Sequence, residues 1–201
     1  MKSLIQIVFF VFLVSSLFHA CHKKEPYVIH YPNKDFFSYD SIHPYKYLQV
    51  ENYKTFQELK DDIKNTVCKD STAVLVFKDA DSIKKIRLID FCFRGTHYDY
   101  HLRNVIEVLD DTVRKGSNLY KMDHLYEIMK KDFQNNGADY YFADNPNKLV
   151  IQIAYPKQGQ NHFLNALKLI TTNCGKLGMN DYLHLEMSTL ENIKIIEPPS
   201  R

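Results

Sequence analysis

Hydrophobic positions recur along this chain with two periods, and the changes of period predict its elements. Phe56, Leu59, Ile63 and Val67 fall three and four residues apart, the spacing of one helical face. Thr55-Phe56-Gln57-Glu58 opens that face with a capping-box pattern, in which hydroxyl and carboxylate each satisfy a backbone N–H at the helix start. Residues 72–78, rich in β-branched and aromatic types, read as a strand. Asp79-Ala80-Asp81-Ser82 is a turn, and residues 83–93 form a second strand, ended by Arg94-Gly95. Ile106, Leu109 and Val113 predict a helix over 104–115 with Gly116 as its C-terminal cap. Asp123 caps a further helix, with Leu125, Ile128, Met129 and Phe133 inward and Gly137 beyond its end.

Residues 139–143 and 148–155 read as a hairpin around Asp144-Asn145-Pro146-Asn147, and Leu149, Ile151 and Ile153 alternate in its second strand. Asn161 opens a helix containing Phe163, Leu164, Leu167 and Ile170, closed by Gly175. Residues 182–187 alternate, with Leu183, Leu185 and Met187 on one face, and 193–196 is a last short strand before Pro198-Pro199. Irregular alternation of strands and helices predicts an α+β single domain, a mainly antiparallel sheet with helices packed on one face.

The N-terminus follows a different rule. Lys2 gives a positive start, and Leu4 to Phe18 is an uncharged, largely apolar run of fifteen residues. As a helix it measures about 22 Å. A spanning helix needs about 20 apolar residues, so the run matches the core of a cleavable signal instead. Phe18-His19-Ala20-Cys21 follows it and resembles the lipobox of bacterial lipoproteins, with Phe18 in place of the usual Leu and His19 in place of a small residue. That resemblance implies that residues 1–20 are removed. It further implies that Cys21 receives a diacylglycerol on its sulfur, and that its acyl chains hold the protein to a membrane of the cell envelope. Several chains make such an anchor stable where one is marginal. No Asp follows Cys21, which by the same resemblance favours the outer membrane.

Residues 21–50 read as a lipidated tether and aromatic arm before a globular domain over 51–201. Pro26, Pro32 and Pro44 exclude a long helix. Tyr27, Ile29, Tyr31, Phe36, Phe37, Tyr39, Tyr45 and Tyr47 are too apolar for a free linker. The ordinary expectation is a segment packed along the domain surface. The functional alternative is a docking strip for a partner or glycan.

Without residues 1–20 the chain keeps 181 residues, enough for one domain with a real core. A formal net charge of +2 offers no electrostatic case for nucleic acid. With Cys21 acylated, Cys68, Cys92 and Cys174 remain. They allow one disulfide plus a free thiol, a Cys68–Cys174 bridge among the pairings, or three buried thiols. Cys92, within Phe91-Cys92-Phe93, reads as a small buried hydrophobe.

Candidate chemistry is sparse. His97, Asp99 and His101 share a face if their segment is extended, a ligand set that suits zinc or iron. On one flat strand, however, the outer two stand about 13 Å apart, so an exposed polar face is the commoner outcome. Asp79-Ala80-Asp81 lacks the later oxygen ligands and Gly of a calcium loop. Asn173 to Gly178 follows a helix where a phosphate loop precedes one, and reads as helix termination. Asp61-Asp62, Asp110-Asp111 and Lys130-Lys131 fall on expected helices as solvated faces. No cofactor motif and no catalytic residue is assigned.

A short apolar segment before an extracytoplasmic domain, with the helix-then-strand cadence of residues 163–187, is similar to the accessory subunit of proton-driven biopolymer-transport motors. That family carries an Asp in its membrane helix, and residues 4–18 contain no carboxylate. The expectation is therefore a lipid-anchored envelope protein with a binding or structural role. The alternatives are a lipid-anchored metal-dependent enzyme near His97, Asp99 and His101, or an accessory subunit of an envelope transport complex.

Overall fold

The computed structural model describes residues 25–32, 44–89, 102–154 and 160–187. Its strands are β1 (Tyr27–Tyr31), β2 (Tyr45–Gln49), β3 (Thr72–Asp79), β4 (Ser82–Arg87), β5 (Val105–Leu109), β6 (Thr112–Lys115), β7 (Asn118–Lys121), β8 (Val150–Ala154) and β9 (His184–Met187). Its helices are α1 (Phe56–Val67), α2 (Leu125–Asn135) and α3 (Gln160–Leu177).

Thr55 starts α1 as its pattern predicts. Its side chain accepts from the Glu58 N–H while Glu58 reaches back to the Thr55 N–H, closing the capping box. Phe56, Leu59 and Ile63 are buried along one stripe. α3 continues past Gly175 to Leu177, and Gly178, at φ +69°, ends it. The Met179 N–H then turns back onto the Cys174 carbonyl at 2.8 Å, satisfying an end carbonyl of the helix.

The fold is α+β, with two mixed sheets ordered β1-β4-β3-β2 and β7-β6-β5-β8-β9. The expectation of a mainly antiparallel sheet is corrected here. Hairpins β3–β4, β5–β6 and β6–β7 are antiparallel, because a tight turn reverses the chain. Pairings β1–β4, β2–β3, β5–β8 and β8–β9 are parallel. Two of these are β-α-β crossovers, through α1 between β2 and β3 and through α3 between β8 and β9. A helix can return the chain to the starting end of its sheet, which a short turn cannot. The two sheets meet where Leu88 bridges Leu185 and the Ile89 N–H donates to the Leu185 carbonyl at 2.9 Å.

One core joins all of this. It takes Leu48, Leu75, Phe77 and Ile86 from the first sheet and Ile106, Val108, Val113, Ile151, Ile153 and Leu185 from the second. Against them pack Phe56 and Ile63 of α1, Leu125 and Met129 of α2, and Phe163, Leu167 and Ile170 of α3. The Phe56 and Phe163 rings meet edge to face at 5.1 Å. The tether and aromatic arm contributes two edge strands to the first sheet, and Tyr31 is buried in the core.

Three further expectations are corrected. Residues 104–115 are a hairpin and not a helix: β5 and β6 flank a turn at Asp110-Asp111, with Asp110 at φ +58°. Val105, Ile106, Val108 and Val113 are its buried apolar positions, and their β-branched shape suits a pleated sheet. Gly116, at φ +57°, belongs to the β6–β7 turn. Asp123 does not cap α2, because residues 122–124 form a 3-10 turn that enters the helix with no side-chain cap. Residues 139–143 form no strand, so the predicted hairpin with 148–155 is absent, and β8 instead runs parallel to β5 and β9.

Polar side chains hold that strandless stretch. Asp132 on α2 is fully buried, and its Oδ1 accepts the Ala143 N–H at 2.6 Å and lies 2.7 Å from Lys115 Nζ. Lys115, on β6, also donates to the Arg103 carbonyl at 2.6 Å. The Asn135 amide donates to the Asp139 and Ala143 carbonyls at 2.9 and 2.8 Å. Arg103 pairs with Asp144 at 2.7 Å, and Asn104 accepts the Asp144 N–H at 3.0 Å. Desolvation pushes Asp132 above the ordinary carboxylate range and Lys115 below its usual value, while each partner pulls the other back.

Removing one partner leaves a charge in the core. Lys115→Met and Asp132→Leu should each cost about 3–5 kcal/mol, and the double variant should recover most of that loss. Urea denaturation midpoints for the cycle measure this. Additive losses would contradict the pairing.

Candidate functional site

The residues singled out for chemistry in the sequence, Cys21, His97, Asp99 and His101, lie outside the described residues. So do Cys92 and the expected strand at 193–196. Among the described residues no group of three or more His, Cys, Asp or Glu is placed to hold a metal ion. Among them, too, no helix is long and apolar enough to cross a membrane.

The described cysteines correct one expectation. Cys174 is a free thiol, fully buried on α3, so Cys68 and Cys174 are not bridged. Burial pushes the Cys174 thiol up to about 12, which keeps it protonated and unreactive at neutral pH. Cys68, at the end of α1, is disulfide-bonded.

Register assigns every strand residue of the first sheet to a face. Leu48, Ala73, Leu75, Phe77, Ser82, Lys84 and Ile86 point to the helices, and all are buried. Lys84 Nζ stands 3.5 Å from the Tyr31 hydroxyl there. The opposite face carries Val28 and His30 of β1, Ile83, Lys85 and Arg87 of β4, Val74, Val76 and Lys78 of β3, and Tyr45, Tyr47 and Gln49 of β2. Val74 and Val76 form a small separate cluster against Tyr45 and Ile83.

This outer face combines aromatic rings with positive charge. Lys85 Nζ lies 5.0 Å from the centre of the Tyr47 ring, a cation–π contact. Tyr45 and Tyr47 are themselves 6.3 Å apart, and Tyr47 and Val28 are exposed. Partial burial, and then the Lys85 charge, hold His30 below its ordinary value, so it is neutral at physiological pH. None of the strand residues on this face is a carboxylate. Glu51, beyond the end of β2, turns its carboxylate onto the Lys78 backbone N–H at 2.8 Å. Asp62 of α1 takes Lys46 Nζ at 2.5 Å and the Tyr53 hydroxyl at 2.6 Å, contacts that hold its carboxyl low and fasten β2 to the helix.

Such a face can bind a ligand that offers negative charge together with flat or apolar surface. Tyr45 and Tyr47 were visible in the sequence as part of the aromatic arm. Lys85 and Arg87 were visible only as the odd positions of a predicted strand, and nothing local placed them beside the arm.

The second sheet has a different outer face. Arg114, Glu107, Gln152 and Glu186 stand in one row across β6, β5, β8 and β9. Arg114 forms an ion pair with Glu107, and the Gln152 amide donates to Glu186 at 2.8 Å. In a helix over 104–115, Glu107 and Arg114 would stand two turns apart. In the hairpin they are directly opposed.

No known protein family matches this chain, and searches of curated proteins and of solved structures return no match.

Glu186 gives this row a testable signature. Burial raises its carboxyl above the ordinary carboxylate range, and the Gln152 hydrogen bond partly reverses that. A group bound more tightly by protons in the native state stabilises it below the unfolded pKa, and that contribution is lost as pH rises through the folded value. Glu186→Gln should therefore gain on the wild type as pH rises from about 4 to about 7. Urea midpoints at several pH values test this, and a gap that does not move with pH would refute it.

Proposed function

We propose that this protein is a lipid-anchored binding protein of the bacterial cell envelope. Acyl chains on Cys21 hold it to the membrane, the outer membrane being favoured. The outer face of the first sheet takes an anionic envelope partner. The observation that carries the binding role is the joining of exposed Tyr47 with Lys78 and Lys85 on a face without a strand carboxylate. Opposite charge on a partner gains from such a cluster, and the rings supply contact area at little entropic cost. The anchor rests on the resemblance of Phe18-His19-Ala20-Cys21 to a lipobox. The disulfide at Cys68 supports the same compartment, because structural disulfides persist mainly outside the reducing cytoplasm.

Two measurements test the two halves. Intact mass of the membrane-extracted protein should show loss of residues 1–20 and an acyl addition, with the addition absent in Cys21→Ser. A full-length, unacylated mass would end the anchor. For the binding face, full-chain Cys21→Ser should bind heparin, used as a polyanionic glycan probe, better than neutral dextran. Lys85→Glu should weaken that binding about tenfold at low salt. Equal binding to both glycans, or no effect of Lys85→Glu, would count against the face.

A further inference from the structure

The chain has four cysteines, at positions 21, 68, 92 and 174. Cys68 is disulfide-bonded and Cys174 is a free, buried thiol, so the partner of Cys68 is Cys21 or Cys92. The two choices differ in chemistry. A diacylglycerol on Cys21 is held through a thioether, and a sulfur bonded to carbon in this way cannot also join a disulfide.

The strand register distinguishes them as well. Cys68 follows α1 and stands just before β3. At that end of the β3–β4 hairpin Val74 faces Arg87, and the Leu88 N–H donates to the Ala73 carbonyl at 3.0 Å. Cys68 is five residues before Ala73, and Cys92 is four residues after Leu88. The described chain therefore enters from the Cys68 side and leaves towards Cys92 at neighbouring points of one end of the same hairpin. Cys21 leads into β1, which enters the sheet beside Ser82, at the opposite, turn end of that hairpin. The eight residues of β3 separate the two ends by seven steps, about 23 Å of strand. Even fully extended, the six residues from Cys21 to Tyr27 reach only about 20–22 Å, short of that span.

We infer that Cys68 and Cys92 form the disulfide of this protein and leave Cys21 as the acylated cysteine. The inference rests in part on the lipid anchor proposed above, and in part on the hairpin geometry, which is independent of it. Bond formation removes two protons and two electrons from the Cys68 and Cys92 thiols. The acceptor is the disulfide of an extracytoplasmic dithiol oxidoreductase, which is reduced to its dithiol by exchange. The product closes the base of the β3–β4 hairpin. It also places a covalent tie five residues before His97, at the start of the stretch that carries His97, Asp99 and His101.

The test is a non-reducing digest of the full-length protein extracted from membranes, alkylated before and after reduction and mapped by mass. A linked peptide pair containing Cys68 and Cys92, with an acylated Cys21 peptide, is the expected result. A Cys68–Cys92 pair with Cys21 unmodified would sustain the disulfide and end the anchor alone. A Cys68–Cys21 pair would overturn both. Cys68 alkylated before reduction in denatured protein would overturn the disulfide and leave the anchor standing. Cys92→Ser should make Cys68 alkylatable without reduction, and Cys21→Ser should not.

Discussion

A buried ion pair organises the second half of this fold. Lys115 and Asp132 are almost wholly removed from water, and neither charge is tolerable there alone. Their contact ties the end of β6 to the middle of α2. Through the Ala143 N–H on one side and the Arg103 carbonyl on the other, it reaches both the strandless stretch after α2 and the entry to β5. That stretch leads from α2 into β8, which lies between β5 and β9. Asp132 Oδ2 is buried with no hydrogen-bond partner among the described residues, so the carboxylate relies on Lys115 and one amide for its charge.

Sequence periodicity revealed the parts of the fold that are local. The capping box at Thr55, the stripe of Leu125, Ile128 and Met129, and the alternation of Leu183, Leu185 and Met187 each carry their own signal. Residues 104–115 misled because Ile106, Leu109 and Val113 fit helical spacing, while the deciding feature was Asp110-Asp111 acting as a turn between two β-branched runs. Residues 139–143 misled because Tyr140, Tyr141 and Phe142 have strand-like composition. In the fold Tyr140 and Tyr141 are exposed, Arg103 lies over the Tyr140 ring at 5.2 Å, and the backbone finds partners in Asn135 and Asp132. Parallel pairing was not legible, since nothing within β2 or β8 specifies the direction of its neighbour. Asp132 was hidden for a related reason, as an acidic residue on a helix reads as solvated until its partner on another element is known.

The binding face was half legible. Its aromatic residues stood out as too apolar for a tether, and the fold explains them as an edge strand of the first sheet. Lys85 belongs to a strand thirty-eight residues beyond Tyr47, and only the parallel β2–β3 and antiparallel β3–β4 ladders bring the two together. The polar row on the second sheet depends in the same way on strand order. Both faces are therefore products of topology, and their chemistry cannot be found by scanning for a motif.

The central claim is that the buried Asp132 carboxylate, compensated by Lys115, fixes the irregular stretch between α2 and β8. Native-state hydrogen exchange at the Ala143 amide tests it most directly. This amide lies in no helix or strand, yet it should exchange only with global unfolding, together with the amides of β5 and β8. Exchange at the rate of an ordinary surface loop, while β5 and β8 stay protected, would contradict the account.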